Sequence, residues 1–405
     1  MKTLFVIAWR NIWRNPGRSG VLLMAVVAGL WAGVVTVGTM NGMLNQRVDY
    51  LIDSEIAHAQ IHNPEFLLER RPYDYIPEFD KLVEILESDQ RVAGFAPRVL
   101  ADGMLQSPVK TAGVRIRGID ITKETQTTSF HENLVDGQYL DSDIRNAVFV
   151  GQRLLESHKL RIGNRLVLTF EDVNGDLTSA AFTISGSFQS ASSDYDESHV
   201  FVRVTDLLPL LSPDSEVYHE VAVRLHDIAL SDEFVRDISA QITGVKAQTW
   251  NQISPELSTL VELGGVMLHI VTLIIMLALA FGILNTMLMA IFERLREIGM
   301  LLSIGMSRAK VFLLIMLESV VLTLTGAVTG IILALISIRR FAETGINFEM
   351  FADGIASLGW DHVVYPVLST QEFAGIIVIV IVITMLSSLY PAIKAMRQNP
   401  LEVEK

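Results

Sequence analysis

The sequence contains no cysteine, which excludes disulfide frameworks, thiol catalysis and cysteine-based zinc sites. It also lacks the basic balance of a nucleic-acid-binding protein, because its 405 residues carry a formal net charge of −13. The P-loop motif G-x-x-x-x-G-K-[ST] is absent as well. The chain is therefore not expected to hold ATP phosphates in the usual way or to act as an enzyme through them.

The acidity belongs to the middle of the chain. Residues 45–260 hold 34 of the 45 acidic residues and 19 of the 32 basic ones, a charge of −15, whereas the remainder carries +2. Half of all residues are hydrophobic, and the mean hydropathy of +0.39 is high for a water-soluble protein. This division predicts an acidic soluble domain flanked by membrane segments.

Four apolar runs lie outside this domain, at residues 21–44, 263–292, 311–338 and 372–390. Crossing a bilayer takes roughly 20 apolar residues, so each run is long enough to span. The first run is too long for the apolar region of a cleaved signal peptide and is interpreted as an uncleaved anchor. The predicted fold is a membrane α-helical protein with four transmembrane helices. A large α+β extracytoplasmic domain, residues 45–262, is inserted between helices 1 and 2.

The orientation of the runs follows from the lysines and arginines beside them. Basic residues are concentrated in segments 1–20, 293–310 and 391–405, which are therefore expected to be cytoplasmic. Arg339 and Arg340 open the segment 339–371 and oppose this scheme weakly, but the rest of that segment is acidic. The multi-pass chain is thus expected to place both termini in the cytoplasm and residues 45–262 outside, in the periplasm if the membrane is a bacterial inner membrane.

The middle domain is predicted to mix helices and strands. Asn174–Gly175 stands between two β-rich runs, which is the standard sequence of a tight hairpin. The six strand-like segments are residues 112–117, 147–150, 165–170, 180–184, 199–204 and 220–225.

Three polar patterns in this domain could suggest metal binding, and each has a more ordinary interpretation. His58 and His62 have the spacing of a helical zinc pair, but the activating glutamate is missing and Pro64 ends any helix. Asp172 begins a calcium-loop-like run that is better explained by the hairpin turn. The acidic group Asp194, Asp196, Glu197 and His199 is expected to form a solvated loop. No metal site is predicted.

The apolar runs contain small residues four positions apart, which allow helix backbones to approach closely in a membrane. The pairs predicted to pack are Gly29 and Gly33, Gly38 and Gly42, and Gly326 and Gly330. Ordinary glycine enrichment in membrane helices is the alternative. Two titratable side chains in the interior of the runs are Glu318 and His269. A carboxylate in hydrocarbon usually faces a partner, so a structural hydrogen bond is expected for Glu318 in preference to proton coupling.

Residues 293–310 read ERLREIGMLLSIGMSRAK and predict a short amphipathic helix at the cytoplasmic surface. Charges crowd the beginning, and Leu295, Ile298, Leu301 and Leu302 recur at helical spacing until Gly305 breaks the pattern. The alternative is a membrane-surface helix with no partner.

These residues resemble the signature of the FtsX-like permeases, E-R-x-R-E-I-G-x-L-x-x-(I/L)-G-(A/M)-S. The tail YPAIKAMRQNPLEVEK resembles the closing pattern of that family through Pro391, Ala392, Ala395, Pro400 and Glu402, with Val403 where alanine is common. AWRNIWRNPGRS resembles the amphipathic helix that precedes the first span in that family, which implies a cytoplasmic N-terminal helix over residues 1–20. AVFVGQRLLESHKLRIGNRLVLTF resembles the core of a MacB-like periplasmic domain. FTISGSFQSASSDYDESHVFV is more similar to the lipoprotein-releasing permeases.

The resemblance implies a permease that works with two copies of a separate ABC ATPase subunit, which binds the ATP and Mg²⁺, and with a second permease, identical or homologous. A periplasmic carrier or adaptor is a further possible partner. The implied substrate is a lipid-anchored molecule such as a lipoprotein. The alternatives are a MacB-like exporter of peptides or toxic compounds and an FtsX-like scaffold that regulates cell-wall hydrolases.

Two groups of site residues follow from this resemblance. ATPase coupling is assigned to Glu293, Arg294, Arg296, Glu297, Ile298, Gly299, Leu302 and Gly305. A lateral gate toward lipid is assigned to Met40, Asn41, Met43, Leu263, Met267 and Ile270. Plain helix packing is the alternative for the gate residues.

Overall fold

The computed structural model describes residues 9–10, 16–140, 144–190, 192–351 and 363–397. The chain divides into two compact units. One, here called the membrane unit, comprises residues 1–46, 261–355 and 361–405, and the other, the sheet domain, comprises residues 47–260 and 356–360. The helix expected over residues 1–20 falls largely outside the described residues, as do Pro400 and Glu402 of the tail motif.

Four helices in the described part of the chain are long and apolar enough to cross a membrane, in agreement with the four expected. We call them spans 1 to 4, and their bounds are Pro16–Leu51, Pro255–Glu293, Arg308–Thr344 and Thr370–Arg397. The other elements of the membrane unit are the helix Leu295–Ser303, here called the surface helix, the paired two-residue strands Ile346–Asn347 and Val363–Val364, and the 3₁₀ turn Glu349–Phe351.

The spans extend beyond the apolar runs that predicted them. Span 3 stays helical to Thr344, so the loop expected to begin at residue 339 begins later, where Gly345 adopts a φ of +69°. Arg339 and Arg340 are therefore helical, and both are exposed. Span 4 continues through Pro391 into the expected tail, since a proline removes only one backbone hydrogen bond and membrane helices tolerate it.

The spans enclose an apolar core to which all four contribute. Its fully buried members include Leu30 from span 1, Ile283 from span 2, Ala334 from span 3 and Val380 from span 4. Helix association in lipid relies on such close packing because hydrocarbon tails are as apolar as leucine.

The sheet domain is built on one mixed sheet of ten strands. Their spatial order is β10-β1-β9-β2-β3-β8-β5-β7-β4, with β6 pairing β2 and β7. The pairs β3–β8 and β5–β7 are parallel, and the others are antiparallel. The strands are β1 Ala59–His62, β2 Val92–Gln106, β3 Thr111–Ile119, β4 Leu134–Gly137, β5 Ala147–Gly151, β6 Arg165–Glu171, β7 Leu177–Phe188, β8 His199–Arg203, β9 Glu220–Leu225 and β10 Lys246–Thr249.

Helices accompany the sheet, which confirms the expected mixture of α and β elements. They are α1 Pro64–Glu69, α2 Phe79–Ser88, α3 Ile121–Thr127, α4 Gln152–His158, α5 Ser193–Ser198, α6 Val204–Leu211, α7 Ser231–Gln241 and α8 Trp250–Ile253, with a π-helical turn Ile52–Ile56 and 3₁₀ turns Phe130–Asn133 and Ile228–Leu230.

The hairpin predicted at Asn174–Gly175 is present between β6 and β7. The carboxylate of Asp172 accepts hydrogen bonds from the backbone N–H groups of Asn174 at 2.8 Å and Asp176 at 2.9 Å. Gly175 has a φ of +86°, a conformation that side chains disfavour. Asp172 is therefore a turn residue, as expected.

The acidic cluster expected to be a solvated loop is instead structured, and part of it is buried. Asp196 lies in α5 with 1% of its surface exposed, and His199 begins β8 and is also buried. The backbone N–H of Ser190 donates to the Asp196 carboxylate at 2.9 Å, which provides the partner that a buried carboxylate requires.

A buried ion cluster lies in the sheet. Arg98 in β2 donates to both carboxylate oxygens of Glu124, at 3.0 and 2.6 Å, and to Glu220 at 2.5 Å. Nε2 of His62 lies 3.0 Å from the other oxygen of Glu220. Burial alone would lower the pKa of Arg98, but the two carboxylates outweigh it and raise that pKa. His62 is thus part of this cluster. Among the described residues, no group of three or more His, Cys, Asp and Glu side chains could hold a metal ion.

His219 is buried beside this cluster in its neutral form. The N–H of Leu100 donates to Nδ1 at 3.2 Å, so the proton of the ring lies on Nε2, which donates to the carbonyl of Pro72 at 2.8 Å. A proton on Nδ1 would point at the N–H of Leu100, so that two hydrogen-bond donors would face each other. Burial accordingly lowers the pKa of His219 to about 4.

This pKa predicts a loss of stability on acidification. Because the folded pKa lies below the unfolded value, the stabilisation is present above pH 6.5 and is lost as the pH falls toward 4, by roughly 3 kcal/mol in total. Unfolding of the detergent-solubilised chain, followed between pH 7 and 4, measures it. His219→Gln should flatten this pH dependence, whereas the control His226→Gln, at an exposed position, should not. An equally steep dependence in His219→Gln would contradict the prediction.

Candidate functional site

Arg294 interrupts the helical backbone between span 2 and the surface helix. Span 2 ends at Glu293, and Arg294 has the non-helical angles φ −103° and ψ 11°. Its N–H donates to the carbonyl of Ile291 at 3.0 Å and so closes the last turn of span 2, while its carbonyl accepts from the N–H of Ile298 at 2.9 Å. The helix therefore begins two residues later than the sequence predicts, at Leu295.

The side chain of Arg294 pairs with Glu318 of span 3. The guanidinium Nη1 donates to the carboxylate at 2.6 Å, and the two side chains are only 13% and 14% exposed. The carboxylate expected to need a partner inside span 3 thus has one. A single ion pair thus joins a residue predicted to couple to an ATPase to the residue predicted to form a structural hydrogen bond inside span 3.

The remaining coupling residues divide between the two faces of the surface helix. Ile298 is buried and Leu302 packs against the core of the membrane unit. Glu293, Arg296 and Glu297 are exposed. A Cβ at Gly299 would meet no atom within 4 Å, and Gly305, with a φ of +98°, ends the helix. The helix is amphipathic, with Arg296 and Glu297 on its exposed face.

A cavity of about 70 Å³ adjoins the Arg294–Glu318 pair. Its wall is mostly apolar, and spans 2 and 3 and the surface helix supply most of it. Members of the wall include Met287, Ile291, Ile298, Val311, Ile315 and Leu322.

All six glycines of the predicted packing pairs lie against other parts of the membrane unit. A Cβ at Gly326 would lie 3.0 Å from Val26, and one at Gly330 would lie 3.1 Å from Leu30, so span 3 approaches span 1 at both positions. Gly29 and Gly33 face Leu279 and Ile275 of span 2, at 2.6 and 3.4 Å.

Gly38 and Gly42 differ from the other four. A Cβ at Gly38 would meet the side chain of Ile338 at 2.6 Å. A Cβ at Gly42 would overlap the backbone carbonyl of Tyr365, in the segment that leads into span 4. This second pair thus allows a non-helical segment to approach span 1, which the helix-packing motif alone does not predict.

Residues 363–369, here called the strap, are hydrogen-bonded along the end of span 1. Gln46 donates from Nε2 to the carbonyl of Val363 at 3.1 Å and accepts at Oε1 from the N–H of Tyr365 at 3.0 Å. The N–H of Val367 donates to the carbonyl of Gly38 at 2.9 Å. No pattern in the sequence predicts the strap.

The six predicted gate residues have different environments. Asn41 is buried and donates from Nδ2 to the carboxylate of Glu372 at 2.7 Å, and Met40 and Met43 are half-buried. Leu263, Met267 and Ile270 are exposed at intervals of three and four residues along span 2, which places them on one face of that helix. His269 hydrogen-bonds through Nδ1 to the carbonyl of Gly265, one turn earlier in its own helix, at 2.6 Å.

Comparison with known proteins identifies relatives of both parts of the chain. Residues 19–241 match the model of the MacB-like periplasmic core domain, and residues 269–400 match that of the FtsX-like permease C-terminal region. The lipoprotein-releasing system transmembrane protein LolC of Xylella fastidiosa is 22% identical over 96% of this chain and 95% of its own length. The corresponding LolE of Haemophilus influenzae is 22% identical over 100% and 99%. The macrolide export ATP-binding/permease protein MacB of Sodalis glossinidius is 23% identical over 71% of this chain but 41% of its own length.

Proposed function

We propose a function for this chain in lipoprotein transport, since it belongs to the FtsX-like permeases with a MacB-like periplasmic core domain. In this proposal the chain helps to extract a lipid-anchored substrate, a lipoprotein, from the outer leaflet of a bacterial inner membrane. The family membership makes the chain a multi-pass permease of an ABC transporter.

The proposed substrate is based on relatives that are similar to this chain over nearly its whole length. The LolC and LolE relatives, named for lipoprotein release, match 96% and 100% of this chain and nearly all of their own length. The MacB relative matches 71% of this chain and 41% of its own length. Lipoprotein release therefore fits the chain better than MacB-like export.

The proposed machine needs partners that supply energy. Two copies of an ATPase subunit would bind the ATP and Mg²⁺ and contact three exposed charged residues: Glu293 at the end of span 2, and Arg296 and Glu297 on the surface helix. A second permease, identical or homologous, would complete the membrane part. The basic residues near the surface helix favour a cytoplasmic location for it and for both termini.

The exposed face of span 2 is the proposed site of substrate entry. The side chains of Leu263, Met267 and Ile270 form an exposed apolar surface. The methionine side chain is unbranched and adapts readily to irregular partners such as acyl chains. On the other side of span 1, the strap and the Asn41–Glu372 hydrogen bond occupy the helix end. Lateral entry beside span 2 is therefore favoured over entry between spans 1 and 4.

Site-specific crosslinking tests this function. A photo-crosslinker at Met267, or at Met43 on span 1, should capture a lipid-anchored protein in cells, recognisable by a metabolic palmitate label. In isolated complexes, ATP added before irradiation should reduce this capture, because the substrate has then left the site. A probe at Met276, buried in the same span, is the matched control and should not capture it. Crosslinks only to another permease copy, with and without ATP, would support simple helix packing and the MacB-like exporter instead.

A further inference from the structure

Arg294 and Glu318 together connect three elements of the membrane unit. The backbone of Arg294 belongs both to the last turn of span 2 and to the first turn of the surface helix, and its side chain is held by span 3. We propose that Glu318 is a positioning residue for ATPase coupling: by holding Arg294, it makes the surface helix move together with span 3. This inference rests on the proposed function, because it assumes that an ATPase moves the surface helix.

The burial of the pair argues that the connection is firm. Both side chains are largely withdrawn from solvent, and apolar residues such as Ile291 and Ile315 surround the adjoining cavity. A charge in such a place is stable only with a partner, so separation of the pair is costly. The surface helix is consequently fixed to span 3 as well as to span 2, to which it is joined through the backbone.

Span 3 continues the connection to span 1. Gly326 and Gly330 lie two and three turns beyond Glu318, where the backbone of span 3 approaches Val26 and Leu30 of span 1. A helix rises 1.5 Å per residue, so the distance from Glu318 to Gly330 along span 3 is about 18 Å. A displacement of the surface helix would thus reach span 1 through a rigid helix and a close backbone contact, in addition to the path along span 2.

The two neighbouring arginines accordingly have different roles. Arg294 is engaged inside the membrane unit, whereas Arg296 is exposed on the surface helix. If both arginines served only to dock the ATPase, neutralising Glu318 would leave coupling unchanged. If Glu318 were a proton carrier, exchanging the two charges would not restore activity.

The test is a double-mutant cycle on the complete complex, reconstituted from this chain, its second permease and its ATPase. ATPase binding, the rate of ATP hydrolysis and the amount of substrate released per ATP are measured. Glu318→Gln should bind the ATPase normally but release about tenfold less substrate per ATP, as should the single charge reversals Arg294→Glu and Glu318→Arg. The exchange Arg294→Glu with Glu318→Arg should restore release to within about threefold of wild type. Arg294→Lys, which keeps the charge, should give an intermediate ratio.

The controls distinguish this inference from the proposed function. Glu343→Gln, an exposed glutamate at the other end of span 3, should leave release per ATP unchanged. Glu318→Gln with wild-type release, or an exchange variant no better than either single variant, overturns the positioning role alone. A wild-type chain that binds no ATPase overturns both the proposed function and the inference. If Glu318→Gln fails to assemble, recovery of release in the exchange variant still supports the pair, and its absence overturns it.

Discussion

Reversal of the charge at Arg296 is expected to release the ATPase from the permease and to abolish transport, while the chain still folds and inserts into the membrane. Arg296 is exposed on the surface helix, so a glutamate there disturbs no packing within the chain. Loss of one partner of a buried charge pair at an interface costs roughly 2–5 kcal/mol, which weakens association by about 30- to 5,000-fold. Reversing Arg294 as well would also break the pair with Glu318, so the single variant isolates docking.

Co-purification of the ATPase with tagged permease from detergent extracts measures this effect, together with the rate of ATP hydrolysis. Arg339→Glu is the matched control, since it makes the same charge reversal at an exposed arginine at the far end of span 3. It should retain the ATPase. Equal recovery of the ATPase with Arg296→Glu and wild type would remove the surface helix as the docking element.

The division of roles between the two arginines could not be predicted from the sequence. Arg294 and Arg296 stand in the same motif and carry the same charge. Glu318 is 24 positions further on, in a different span, and its need for a partner gave no indication of which basic residue that partner is. The break in the helix at Arg294 separates the two roles. It turns the side chain of Arg294 toward span 3 and leaves that of Arg296 exposed.

In the sheet domain, too, the sequence predicts only part of the structure. All six predicted strand segments fall within or largely within observed strands, because their β-branched and aromatic residues alternate or form short apolar runs. The longest strand, β2, was missed because Gly94, Pro97 and Gly103 interrupt its pattern. Pro97 is nevertheless paired with Val221 of β9. Pairing with β3, β6 and β9 overrides the weak local preference.

The glycine pairs were identified from spacing, but their neighbours were not. Glycines four residues apart show that one face of a helix lacks side chains at those positions. They do not show which element packs against that face. For Gly326 and Gly330 the neighbour is span 1, as a helix-packing motif suggests. For Gly42 it is the strap, whose position depends on hydrogen bonds to Gln46 and Gly38 between residues more than 300 positions apart in the sequence.

Substitution of Gly42 by alanine is therefore expected to destabilise the membrane unit strongly. The new methyl group would overlap the carbonyl of Tyr365, a backbone atom. The strap cannot shift freely, because the N–H groups of Tyr365 and Val367 are bonded to Gln46 and Gly38 of span 1 on either side of the clash. Overpacking of this kind costs typically about 1–3 kcal/mol, and a clash with restrained backbone lies at the upper end of that range. Gly38→Ala should cost less, since it meets the flexible side chain of Ile338.

Thermal or denaturant-induced unfolding of the full-length chain in detergent measures the difference. The control is Gly375→Ala in span 4, where an added methyl group meets no atom within 4 Å. Alanine there should be neutral or stabilise the helix by up to about 1 kcal/mol, because glycine loses more conformational entropy on folding. Opposite signs for the same substitution at two glycines would show that contact with the strap, and not helix propensity, sets the requirement at Gly42. Equal and small effects at both positions would mean that the strap does not hold the end of span 1.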